Sequence, residues 1–237
     1  MPNHILGEIC SMLDTYTGRD KIVRTLCYTA KLMSAIQAEK GNDDYAKKFA
    51  IFSTKMSQTR ANLRLFDDIP MIQYSLEYGL GEKEPDRMMA MIGVITNIVD
   101  HLYYPVDKIC WAIDSKILNP KNPEKWDTLN SVFWAASIYL NLMKTIRLVY
   151  IMRLHRQNID KIENESAVAL KKLEAKERME MISIFRLTLD FVHASSTLPS
   201  GWLWGGKLST FSVGLIGSTS SLIGLYQYFA KKRLAKS

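Results

Sequence analysis

The chain has 237 residues, enough to bury a core in one or two domains without disulfide or metal support. It has 47% hydrophobic and 23% charged residues, only 12 Gly and 7 Pro, and a mean hydropathy of -0.08; these values exclude a disordered chain, a turn-rich β-sandwich and a carrier made mostly of spanning helices. Its 31 basic residues exceed the 24 acidic ones, and the net charge of +7 favours an anionic partner, nucleic acid or a membrane surface.

The amino-terminus carries Asn3, His4 and Glu8 among its few apolar residues, which predicts no secretory signal. Ile22, Leu26, Thr29, Met33 and Ile36 recur at alternating steps of four and three, predicting one helix from about Asp20 to Glu39. Gly41 and Asn42 break it, and Asp43 or Asp44 is expected to cap the next helix. Tyr45, Phe49, Phe52, Met56, Thr59, Leu63 and Phe66 then form a narrow stripe, mostly aromatic and Met. Lys47, Lys48, Lys55, Arg60 and Arg64 lie off it, and no acidic residue occurs from Tyr45 to Phe66. Such a helix is about 33 Å long. It has the pattern of an interfacial helix, with aromatic side chains entering the lipid and basic groups on the headgroups. The same pattern fits a bundle helix with a solvated basic face.

Asp67 and Asp68 precede Pro70 and read as helix caps rather than a catalytic carboxylate pair, since adjacent helical residues point about 100° apart. Tyr78 to Gly81 reads as a C-cap and turn. Pro85 is expected to open a helix with Met88, Met91, Ile92, Ile95, Ile98, Val99 and Leu102 in the core, interrupted at Pro105. Thr128 to Met143 is 16 uncharged residues, and the stretch 128–152 is a possible membrane segment or a long core helix. Basic and apolar residues alternate from Lys144 through Arg147, Arg153 and Arg156. Gln157 to Glu180 is rich in Lys and Glu and predicts a solvated helical linker. Leu208 to Ala230 is 23 residues without a charge, preceded by Trp202, Trp204 and Lys207 and followed by Lys231, Lys232, Arg233 and Lys236. That predicts a spanning helix with a cytosolic basic tail. Gly214, Gly217, Ser218, Ser221 and Gly224 give it a small-residue face for close helix packing.

The expected architecture is all-α: a membrane-associated helical bundle with amphipathic helices and a carboxy-terminal transmembrane helix. It divides into an amino-terminal region 1–156, a linker 157–180 and an anchor region 181–237. Three cysteines at wide spacing exclude a disulfide framework, and His4, His101, His155 and His193 show no metal-ligand spacing. No phosphate loop or nucleophile elbow is present, so neither an enzyme nor a bound cofactor or metal is expected. The scattered basic residues match no nucleic-acid-binding motif.

Several local strings then resemble the peroxisomal membrane protein 11 (peroxin 11) family. Tyr16, Gly18, Arg19, Asp20, Lys21 and Arg24 resemble its amino-terminal signature. Leu63 to Asp68, Tyr78 to Gly81, and Asp100 with Leu102, Tyr103, Tyr104, Pro105 and Trp111 are similar to the gamma-type branch. The resemblance runs from about Leu13 to Tyr228. It implies a peroxisomal membrane protein that elongates and tubulates the organelle before fission. It also implies association with itself and other family members, and partnership with fission adaptors, a dynamin-like GTPase and a membrane-protein import receptor. The family's membrane-bending helix maps onto Tyr45 to Phe66. The tail Ala235, Lys236, Ser237 is not a matrix-protein address, so the segment Lys144 to Arg156 is the candidate targeting element. Two alternatives remain from other classes: a pore for small metabolites, and a passive adaptor for the fission machinery.

Overall fold

A computed structural model describes residues 2–159 and 167–234. Part of the expected linker (160–166) and the end of the basic tail (235–237, with Lys236) lie outside the described residues. Within them the chain is all-α, with helices α1 (Pro2–Leu13), α2 (Tyr16–Glu39), α3 (Asp43–Leu63), α4 (Asp68–Tyr78), α5 (Arg87–Asp114), α6 (Pro123–Ile159), α7 (Ala167–Ser196) and α8 (Thr210–Leu234). A 3-10 turn, Arg64–Phe66, extends α3. The helices form two compact units, residues 1–66 with 206–237, and residues 67–205. These boundaries differ from the three regions expected above.

In the first unit α2 is the shared partner. The Thr15 hydroxyl caps it by accepting from the Gly18 amide at 3.1 Å. Gly41, at φ 75°, ends the helix in the left-handed region that glycine adopts without strain. α3 returns antiparallel along α2: Arg60 pairs with Asp20 at 2.8 Å, Ser53 donates to the Cys27 carbonyl at 2.9 Å, and Ser34 donates to the Ala46 carbonyl at 2.8 Å. α8 is antiparallel on another face of α2. Arg24 donates to the Ser220 hydroxyl at 3.2 Å, and Lys232 donates to Ser11 at 2.6 Å. Because α2 packs on two faces, its buried residues are Gly18, Cys27, Tyr28 and Ala30 rather than the single stripe the spacing predicts. Asp43 and Asp44 do not cap α3. They sit in its first turn, where their charge complements the helix dipole, and Asn42 takes the cap position.

In the second unit α6 runs between α5 and α7. The Ser137 hydroxyl donates to Asp100 of α5 at 2.6 Å, and Arg147 donates to Asp86 at 2.6 Å. On its other side Trp134 meets the edge of His193 in α7, and Ala135 packs with Ala194 and Leu198. A helix packed on two sides is apolar on two sides, which explains why 128–152 reads as possible membrane. Asp86, not Pro85, caps α5 and accepts from the Met89 amide at 2.7 Å. α5 continues through Pro105 instead of stopping there, with the Pro105 ring exposed and Val106 and Cys110 buried. Its expected core stripe divides: Ile92 is buried, while Met88, Met91, Ile95, Ile98 and Leu102 are exposed. The linker is not uniformly solvated either, since Glu177 is only 8% exposed and holds Arg153 at 2.8 Å.

The membrane spans require correction. Among the described residues no helix is long and apolar enough to cross a membrane, neither α8 over Leu208–Ala230 nor α6 over 128–152. The reason is compositional. α8 carries Gly, Ser and Thr through its middle, and α6 carries Lys144, Arg147, Arg153 and Arg156.

Burial around Asp100 raises its carboxyl above its ordinary value, although the Ser137 hydrogen bond and nearby His101 oppose this. A raised folded value means the fold prefers the protonated acid. Stability is then fully present below the unfolded pKa of about 3.9 and falls as pH rises through the folded value. Asp100→Asn keeps the acceptor for Ser137 and removes the charge. Thermal melts are expected to show a higher midpoint than wild type at pH 7 and little difference at pH 3. A variant advantage equal at both values would contradict this.

Candidate membrane-interacting surface

α3 meets α2 through its small side chains. Ala46 and Ser53 are its buried residues, one heptad apart, and they bring the two backbones close. The Cys27 thiol donates to the Ser53 carbonyl at 3.4 Å in the same contact. The aromatic stripe is therefore not what α3 buries. Tyr45 is 60% exposed, Phe52 43% and Phe66 73%, while Phe49, Met56 and Leu63 are half-buried and Thr59 is exposed. Exposed large aromatics in a row are more informative than buried ones, because they leave apolar area without protein cover.

The basic residues off the stripe divide into two groups. Lys47 and Lys55 are exposed. Arg60 is half-buried against Asp20, and Lys48 pairs with Asp44 at 2.6 Å while lying 5.4 Å from the Tyr45 ring centroid. Arg64 sits in the 3-10 turn, half-buried. The sequence reading missed both acidic partners. The Asp44–Lys48 spacing of four carries that signal, whereas the Asp20–Arg60 pair spans 40 positions and depends on the antiparallel turn.

α8 adds an inverted face to the same unit. Its buried side chains are small or polar: Ser218, Ser220, Ser221 and Gln227. Its outward side chains include Leu215, Leu222 and Tyr226, the last two 57% exposed. The small-residue face expected to join copies of the chain is filled by α2 of the same chain. A Cβ on Gly214 would lie 2.7 Å from the Leu32 backbone, and one on Gly217 would lie 2.2 Å from the Tyr28 ring. Ser218, Ser221 and Gly224 on that face are buried.

The basic–apolar segment of α6 is engaged in the second unit. Lys144 pairs with Glu84 at 2.7 Å and lies 4.8 Å from the Tyr78 ring centroid. Burial pulls its ammonium down, but Glu84 more than compensates and holds it above the ordinary lysine value. Arg147 pairs with Asp86, and Arg153 and Arg156 share Glu177 at 2.8 and 3.3 Å. The sequence pattern brought these four together, but each has a carboxylate partner. Trp204, expected at a membrane boundary, donates from its indole to the Val192 carbonyl at 2.8 Å, whereas Trp202 is exposed.

Among the described residues no cluster of His, Cys, Asp and Glu could hold a metal ion. The Cys110 thiol is pushed up to about 12 by burial and by Asp127 and Asp107, so it remains a thiol at neutral pH.

The fold and this surface define an all-α protein with a cationic, aromatic helix exposed on a helical layer. The family model of Peroxisomal biogenesis factor 11 (PEX11) matches residues 6–229. The chain belongs to that family, one of peroxisome biogenesis factors and not of enzymes. It is similar to Peroxisomal membrane protein 11C of Homo sapiens, 31% identical over 226 residues covering 94% of this chain and 93% of the relative. It is similar also to Peroxisomal membrane protein 11C of Mus musculus, 31% identical over 240 residues covering 98% of both. These relatives support a location at the peroxisomal membrane. No solved structure matches the chain.

Proposed function

We propose that this chain remodels the peroxisomal membrane during proliferation, with α3 lying in the cytosolic leaflet as a wedge. The observation that carries the reading is that α3 packs on α2 through Ala46 and Ser53 and leaves Tyr45, Phe52 and Phe66 exposed beside Lys47 and Lys55. An interfacial helix enters the headgroup region by about 5–10 Å, and basic groups contribute about 1 kcal/mol each near an anionic surface. The outward Leu215, Leu222 and Tyr226 of α8 supply further apolar area on the same unit. Attachment in this reading needs no spanning helix.

The gamma-type branch remains our assignment within the family. Self-association, association with other family members, and recruitment of fission adaptors and a dynamin-like GTPase belong to the same proposal. Lys144, Arg147, Arg153 and Arg156 would be readable by an import receptor in the unfolded chain, before their carboxylate partners close on them.

The test is the purified full chain on protein-free vesicles, viewed by electron microscopy. Tubules on anionic vesicles, with few on neutral ones, are expected. No deformation on either would favour the passive adaptor. The double variant Lys47→Gln with Lys55→Gln is expected to weaken partition onto anionic vesicles about tenfold or more and to flatten its salt dependence. Co-sedimentation at two salt concentrations measures both; unchanged binding would remove these two lysines from the surface.

A further inference from the structure

The predicted stripe of α2 and the aromatic stripe of α3 meet in an open groove of about 380 Å³. Leu26 and Met33 wall it from α2, and Tyr45, Phe49 and Phe52 from α3, with Ala30 between them. Each wall covers about seven helical residues, roughly 10 Å of length. Among the described lining residues Lys48 alone is charged, and it lies at the Tyr45 end. The remaining side-chain polar groups are the Thr29 and Tyr45 hydroxyls.

We propose that this groove binds one unbranched acyl chain bearing an anionic head, with the chain along Phe49 and Phe52 and the head on Lys48. The volume lies in the range of small-molecule sites, which are mostly apolar with a few polar groups that fix orientation. The lining offers two hydroxyls and one ammonium, too few to pair the backbone of an extended peptide, and roughly 10 Å is too short for a helix interface of standard size. An acyl chain needs no hydrogen-bond partners along its length. Lys48 is held by Asp44 at 2.6 Å, but both side chains are exposed. Such a pair is weak in water, so a carboxylate or phosphate oxygen can replace Asp44 at the ammonium, with Lys48 turning away from Asp44. This inference deepens the wedge reading and rests on it. A lipid tail held between α2 and α3 would anchor the stripe that enters the leaflet.

The chain has two available sources, a free fatty acid or a tail of a bilayer phospholipid. The full-length protein on vesicles is photolabelled with either a diazirine fatty acid or a phosphatidylserine carrying the diazirine in one tail, and labelled peptides are mapped. Labelling is expected to concentrate on residues 26–33 and 45–52, and the probe that labels identifies the source. Thr29→Trp fills the groove from α2 and leaves the α3 stripe unchanged. It is expected to lower that labelling at least tenfold, and Lys48→Gln several-fold. Met33→Trp serves the same purpose if circular dichroism shows that Thr29→Trp does not fold. Label absent from both segments, or unchanged in the folded groove-filling variant, would overturn the proposal. The wild-type chain separates the two readings: vesicles deformed without label on either segment would sink the groove and leave the wedge standing.

Discussion

Replacing Phe49, Phe52 and Phe66 together with serine is expected to abolish vesicle tubulation and lower membrane partition by at least a thousandfold. Burying one Phe side chain is worth about 1.5–3 kcal/mol, so three contribute at least about 4.5 kcal/mol, and each 1.4 kcal/mol is about tenfold. Ala46 and Ser53, which hold α3 to α2, are untouched. The helix should therefore stay in place while its stripe loses affinity for lipid. Phe49 is half-buried and walls the groove, so Phe66→Ser alone provides a second variant outside that groove. Phe66 is 73% exposed, and its loss should weaken partition about tenfold without changing the unfolding midpoint. Electron microscopy and co-sedimentation read both. Undiminished tubulation by a folded triple variant would reject α3 as the wedge.

The second large effect is expected at the α2–α8 contact. Gly217→Ala places a methyl 2.2 Å from the Tyr28 ring, and Gly214→Ala places one 2.7 Å from the Leu32 Cα. Tyr28 is buried beneath the Arg24 guanidinium, 5.7 Å from its centroid, so its ring has little room to turn. At Gly214 the obstacle is backbone, which can yield only if α8 lifts away. Overpacking of this kind costs about 1–3 kcal/mol. Both variants should lower the denaturant midpoint, Gly214→Ala the more, and expose α8 to proteolysis. Leu222→Ala, on the exposed side of the same helix, should stay within about 0.5 kcal/mol of wild type. Equal stability of all three would mean that α8 does not lie on α2 through this face.

Much of the helix punctuation follows directly from local chemistry. Gly41 and Gly79 stop helices because a positive φ costs glycine little, and Asp86 starts one by accepting a hydrogen bond from the Met89 amide. Pro105 shows the limit of such rules. It predicts an interruption, yet α5 runs through it because Val106 and Cys110 on the packed side continue to bury area.

Residue type and spacing suffice for the helical class, the family resemblance, and the cationic, acid-free character of the segment Tyr45 to Phe66. These depend on residue type and on spacing along the chain, and no distant contact alters them. Which faces are covered depends on contacts between helices far apart in the chain. Two-sided packing makes α6 read like lipid-facing chain, and the small face of α8 is matched by Tyr28 and Leu32 nearly two hundred positions away. The same is true of Asp20 beside Arg60 and Glu177 beside Arg153. Periodicity reports that a helix has an apolar side; which helix or which solvent meets that side is a matter of distances between residues remote in sequence.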